Sequence, residues 1–60
     1  MKFKVGDKVT SIGGNFIEGV VTKAEDYDDT EQDLTILWTK STRGDMNYVQ
    51  ERSSDTVRRL

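Results

Sequence analysis

Between Glu25 and Asp33 the chain places six carboxylates in nine residues, with no basic residue among them. Glu25, Asp26, Asp28, Asp29, Glu31 and Asp33 are hard oxygen donors, so the first chemistry to consider is calcium binding. Asp26, Asp28 and Thr30 fall at alternate positions, as the first ligands of an EF-hand loop do. The pattern then breaks. Glu31 stands at the sixth position, where a glycine is needed, and Leu37 at the twelfth, where a bidentate glutamate belongs. No metal site is expected. What remains is a solvated, mobile charged loop, or a negative surface for a basic partner. Tyr27 has no evident core role there. It is the aromatic most suited to touching a partner, with Asp26, Asp28 and Asp29 around it.

A second set of side chains has the opposite sign. Arg43, Arg52, Arg58 and Arg59 follow the acidic segment, and guanidinium groups suit phosphate and carboxylate recognition. If the last strand returns near the turn in the forties, several of them share one side. With Trp38, Tyr48 or Phe16 nearby, such a patch would offer bases an aromatic surface to stack on. The alternative for these charges is to keep a small barrel soluble and blunt its sheet edges. Trp38 itself reads first as a core residue with its indole N–H satisfied near the rim. Arg43-Gly44-Asp45 spells an integrin tripeptide but is read as a turn.

Catalysis has little to work with. The chain has no histidine and no cysteine, which removes the commonest general base, the commonest transition-metal ligand and any thiolate zinc site. None of the carboxylates sits in an apolar setting that would raise its pKa for acid–base work. No catalytic residue and no cofactor are expected.

These groups sit on 60 residues with a net charge of −2. Residues 1–33 carry four lysines against eight acids, or −4; residues 34–60 carry five basic groups against three acids, or +2. The asymmetry favours a charged partner, while the acidity of the whole argues mildly against generic nucleic-acid binding. No apolar run approaches the ~18 residues of a membrane span, and Met1-Lys-Phe-Lys4 lacks the apolar core of a signal peptide. A soluble, cytoplasmic, single-domain protein over residues 1–60 is expected, with self-association one route to extra stability for so small a core.

The elements that must position these residues are short strands. Lys2–Val5 is an extended lead-in, turned by Gly6-Asp7. Lys8–Ile12 alternates with Val9 inward, and Gly13-Gly14-Asn15 is a turn. Phe16–Ala24 is the next strand, with Gly19 at a bulge or bend, Val21 in the core and Val20 unassigned. Leu34–Trp38 is the central strand. Leu34, Ile36 and Trp38 share its core face, and Leu37 points the other way. Residues 40–45 turn on Gly44. Met46–Gln50 follows, with Tyr48 and Val49 its apolar members. Ser53-Ser54-Asp55 caps a single 3₁₀ turn, and Val57–Leu60 closes the chain. No stretch has the apolar stripe of a helix.

The series Val5-Gly-Asp-Lys-Val9, Gly19-Val-Val21, Ile36-Leu-Trp38, a Gly44 turn, Asp55-Thr-Val57 and Leu60 resembles the SH3-like barrel family in its broad sense. That group includes KOW, Tudor-like and small bacterial and phage-encoded barrels. The resemblance spans nearly the whole chain. It implies an all-β, five-stranded, partly open barrel with a short 3₁₀ turn before the last strand. The chain departs from KOW domains in its acidity and from eukaryotic SH3 domains in lacking their aromatic-rich groove. The layout is also similar to the type II dihydrofolate reductases. Their Val-Gln-Ile-Tyr active-site tetrapeptide is missing here, where Val49-Gln50 runs into Glu51-Arg52. The expected function is therefore a non-enzymatic binding module. It would be a small accessory protein docking on a basic protein partner through Asp26, Tyr27, Asp28, Asp29 and exposed aromatics. The alternative is nucleic-acid binding through Arg43, Arg52 and Arg58 beside Trp38 and Tyr48. A third is an oligomeric barrel enzyme.

Overall fold

The computed structural model describes residues 2–60; Met1 of the segment weighed as a leader lies outside them. The chain is all-β. Strands β1 (Lys8–Ser11), β2 (Phe16–Asp26), β3 (Gln32–Ser41) and β4 (Gly44–Ser53) lead into a 3₁₀ turn (Ser54–Thr56) and β5 (Val57–Arg59). All pairings are antiparallel and form one sheet of order β4-β3-β2-β1-β5. The sheet is not closed, because β4 and β5 are its two edges. This is the partly open, five-stranded arrangement expected, with the 3₁₀ turn in its expected place.

Three irregularities in the β2–β3 register bend the sheet. They lie between Phe16 and Glu18, between Glu18 and Gly19, and between Val21 and Lys23. Bulges of this kind add a residue to one strand and sharpen its twist, which lets a small sheet curl over itself. The curl is held on the far side as well. Arg52 at the end of β4 donates to the Thr56 hydroxyl (3.0 Å) and to its carbonyl (3.3 Å). Thr56 in turn accepts from the Ile12 amide at 2.9 Å.

Inside the curl, Val9, Val21, Leu34, Ile36, Trp38 and Val57 are buried. Phe3, Phe16, Ala24 and Met46 pack against them. The alternation in β3 places Leu34, Ile36 and Trp38 inward, as expected. A buried Trp removes about 200 Å² from water, worth roughly 5 kcal/mol at ~25 cal/mol per Å². That is comparable to the whole net stability of a 60-residue domain at ~0.1 kcal/mol per residue. Trp38 is therefore first of all a structural residue.

Gly19 makes room for it. A Cβ built on Gly19 would lie 2.6 Å from Trp38 Cε3, 2.7 Å from Ile36 Cγ2 and 3.1 Å from the Leu37 carbonyl oxygen. The backbone of β2 touches the indole at this point, so no side chain fits. The turn between β1 and β2 uses the other property of glycine. Gly13 and Gly14 have φ of 76° and 82°, whereas Asn15 does not take positive φ.

Several boundaries differ from the expected ones. β1 ends at Ser11 and leaves Ile12 exposed. β4 runs ten residues instead of five, because its pairing with β3 continues down to Asp33↔Ser53. Its expected apolar members Tyr48 and Val49 are both exposed, since β4 is an edge strand. Ser53 makes no side-chain cap to the 3₁₀ turn. The Thr56 hydroxyl instead bonds back to the Ser53 carbonyl at 2.6 Å. β5 stops at Arg59.

Gly19→Ala is expected to destabilise the fold by about 3 kcal/mol, the upper range for overpacking a core. Urea unfolding checks this, and an unchanged midpoint would show that the indole is not held against this backbone.

Candidate binding surface

The acidic segment is mostly strand. Glu25 and Asp26 complete β2, Gln32 and Asp33 begin β3, and only Tyr27–Glu31 lies between them. This corrects the expectation of a mobile loop over residues 25–33. The reason is a set of local bonds that the charge count does not show. The Tyr27 and Asp28 amides both donate to the Glu31 carbonyl, at 3.0 and 3.1 Å. Asp28 Oδ1 accepts from the Thr30 amide (2.8 Å), the Thr30 hydroxyl (3.0 Å) and the Glu31 amide (2.8 Å). This is an Asx turn, in which a short carboxylate satisfies backbone donors that a tight loop leaves open. The Thr30 amide, then the Glu31 amide, hold the Asp28 carboxyl below its ordinary 3.8.

Gln32 anchors the base of the hairpin and is the one buried polar residue among those described. Its Oε1 accepts from the Phe3 amide at 2.8 Å, and its Nε2 donates to the Phe3 carbonyl at 3.0 Å. Nε2 also reaches Asp26 Oδ1 at 3.3 Å, and the Gln32 amide donates to the Ser54 hydroxyl at 2.9 Å. Gln32 thus joins the N-terminal segment and the hairpin through its neutral side chain, and the 3₁₀ turn through its backbone amide. Sequence reasoning passed over it, although Gln32 is in phase with Leu34, Ile36 and Trp38. That phase was the signal available.

On this base the hairpin presents Tyr27, 73% exposed. Asp29 is exposed beside it. Asp26 pairs with Lys2 at 3.0 Å. Asp29, Glu31 and Asp33 form no ion pair among the described residues, where the pairs are Lys2–Asp26, Lys23–Glu25 and Arg59–Asp7. The acidic residues named from sequence therefore divide. Asp28 is spent on the turn, Asp26 on Lys2 and Gln32, and Asp29 faces solvent.

The aromatics form a second group. Phe16 stacks on Trp38 with centroids 4.9 Å apart, and on Tyr48 at 5.8 Å. Trp38 Nε1 donates to Gln50 Oε1 at 3.1 Å, and the Arg52 guanidinium lies 5.7 Å over the indole ring. Trp38 has no accessible surface and cannot meet a partner directly. Only Tyr48, 47% exposed, ends the stack in solvent.

The arginines are not gathered. Arg52 is folded onto Trp38 and Thr56. Arg43 lies in the turn just before β4, nine residues away, or about 30 Å along an extended strand. Arg59 pairs with Asp7 at 3.0 Å, bonds the Lys2 carbonyl and covers the Phe3 ring at 5.0 Å. The Lys4 amide, with help from Arg59, holds the Asp7 carboxyl below its ordinary value. Arg58 is exposed and points to the opposite side of β5 from Val57.

A cavity of about 140 Å³ lies on the outer face, lined by Lys23, Glu25, Asp33, Leu34, Thr35 and Glu51. The Lys23–Glu25 ion pair of 2.8 Å raises the lysine's pKa and lowers the carboxylate's. Both groups are thereby held in their charged forms, the reverse of what a proton-transfer pair requires. Among the described residues no cluster of metal-ligating side chains occurs. The chain matches no protein family, no curated protein and no solved structure.

The turn should be acid-sensitive. Asp28 has a lowered folded pKa, so its contribution is present above its ordinary 3.8 and is lost as pH falls below it. Amide exchange should show protected Thr30 and Glu31 at neutral pH, with protection lost in acid and lost at all pH in Asp28→Ala. Equal protection in the variant would contradict the turn's dependence on this carboxylate.

Proposed function

We propose that the chain is a non-enzymatic protein-binding module of SH3-like barrel type, a small accessory protein that docks its acidic hairpin on a basic protein surface. The observation that carries this reading is Tyr27, exposed at the tip of a hairpin that is already ordered. Binding through a preformed loop avoids the entropy cost of ordering it. Tyrosine gives large contact area for few rotatable bonds, which is why it recurs as an anchor in recognition loops. Asp29, Glu31 and Asp33, lacking ion pairs within the described chain, supply the charge that steers a basic partner.

The dispersal of the arginines weighs against the nucleic-acid reading, which needs several cations on one phosphate-tracking surface. The working compartment in this proposal is the cytoplasm, with which a chain free of cysteine is compatible. No helix among the described residues is long and apolar enough to cross a membrane.

Isotope-labelled protein titrated with a Lys/Arg-rich peptide tests the reading. Amide shifts are expected over residues 27–33, fading as salt rises. Tyr27→Ala with Asp29→Asn is expected to weaken binding about tenfold or more, as loss of a hot-spot anchor does. Shifts elsewhere, or affinity unchanged in the variant, would reject the hairpin as the interface. A single-stranded DNA of equal length, run in parallel, would favour the arginine-bearing reading if it alone bound.

A further inference from the structure

Residues 2–4 are held in the way a bound peptide is held. They belong to no strand, and all but one of their backbone hydrogen bonds end on side chains. The exception is the Lys4 carbonyl, which accepts from the Asp7 amide at 3.0 Å. Gln32 meets Phe3 as a strand residue would. Its Oε1 accepts from the Phe3 amide at 2.8 Å and its Nε2 donates to the Phe3 carbonyl at 3.0 Å. This is the two-bond exchange of a hydrogen-bonded antiparallel pair, and it reads main chain only. The flanking contacts are selective. Asp26 takes the Lys2 ammonium at 3.0 Å. The Arg59 guanidinium lies 5.0 Å over the Phe3 ring and donates to the Lys2 carbonyl at 2.9 Å. The ring itself packs on the core cluster.

We infer that these side chains form a recognition slot for an extended segment of a partner protein, a basic residue followed by an aromatic one, and that Lys2-Phe3 fills the slot in cis. The occupant's chemistry is set by the groups that read it: Asp26 for the cation, Arg59 for the ring, Gln32 for the backbone between. The slot does not depend on its present occupant for its shape. Gln32 Nε2 also bonds Asp26 Oδ1 at 3.3 Å, and Arg59 also bonds Asp7 at 3.0 Å. Both readers stay oriented when the segment leaves, which limits the ordering cost of taking up another. The segment is also free to leave. Lys2 is exposed and Phe3 only half-buried, and the exposed turn at Val5-Gly6, with Gly6 at φ 97°, joins them to β1. A cis occupant on so short a connection competes at millimolar effective concentration. The slot is therefore masked, and a partner's apparent affinity is reduced by the fraction of time it stands open. It uses neither Tyr27 nor Asp29 and stands independently of the hairpin tip.

Titration of isotope-labelled full chain with acetyl-Lys-Phe-Ala-amide tests it, in the wild type and in Phe3→Gly, which removes the competing ring. In Phe3→Gly the peptide should shift the Gln32 side-chain amide and the Arg59 Nε–H, and the wild type should bind about tenfold more weakly. Acetyl-Lys-Gly-Ala-amide should bind the variant about tenfold more weakly than the first peptide, and acetyl-Glu-Phe-Ala-amide about fivefold. No shift at Gln32 in the variant with about 5 mM peptide would overturn the proposal, since that exceeds the masking concentration. So would equal affinity for all three peptides, or equal affinity of variant and wild type. A wild-type dimer that disappears in Phe3→Gly would assign the slot to the same segment of a second copy and overturn the partner. Should Phe3→Gly unfold the chain, Lys2→Glu decides instead. It repels the segment from Asp26 at an exposed position and should raise affinity for acetyl-Lys-Phe-Ala-amide about threefold over wild type; unchanged affinity there would overturn the masking.

Discussion

The rest of the structure depends on the contact between the Trp38 indole and the bare backbone of Gly19. With no Cβ in the way, β2 lies flat against the ring, and the bulge between Glu18 and Gly19 falls at this spot. The largest side chain of the core is thus seated by the absence of a side chain opposite. Phe16 stacks on the indole and Gln50 takes its N–H, which satisfies the one polar atom the ring carries. Arg52 lies over it and ties β4 to the 3₁₀ turn. A sheet of five short strands acquires its curl and its core from one point of close approach.

Charge in this chain is largely spent within the fold. Arg59 holds Asp7 and covers Phe3, Lys2 meets Asp26, and Asp28 serves its own turn. Buried polarity is carried by a neutral amide, Gln32, whose oxygen and nitrogen both find backbone partners on Phe3. Leaving such a group unpaired would cost about 1–3 kcal/mol, so the N-terminal segment and the hairpin are held in place together. The acidic hairpin is ordered for this reason, and it presents Tyr27 from a fixed base.

The architecture was legible because β3 announces itself. Leu34, Ile36 and Trp38 alternate cleanly, and Gly19 marks the bend. Val21 is inward, as read, and Val20 takes the outer face. The hairpin was misread for an identifiable reason. Net charge reports solvation, whereas order in a short turn depends on which carboxylate sits two and three residues before the free amides. Tyr48 and Val49 read as the apolar members of their strand, and the letters alone do not say that this strand is an edge that leaves both exposed. Lateral position was not legible at all. Spacing along the chain does not reveal that Arg43, in the turn before β4, and Arg52, near that strand's far end, stand well apart, or that Val20, Leu37 and Val49 line up in one row.

The placement of Trp38 can be measured directly, because it is the single tryptophan of the chain. Quenching of its fluorescence by acrylamide compares the native and urea-unfolded states on one signal. An indole sealed between Gly19, Phe16 and Arg52 should resist quenching in the native protein and become freely quenched on unfolding. Native-state quenching equal to that of the unfolded chain would contradict a core built on this ring.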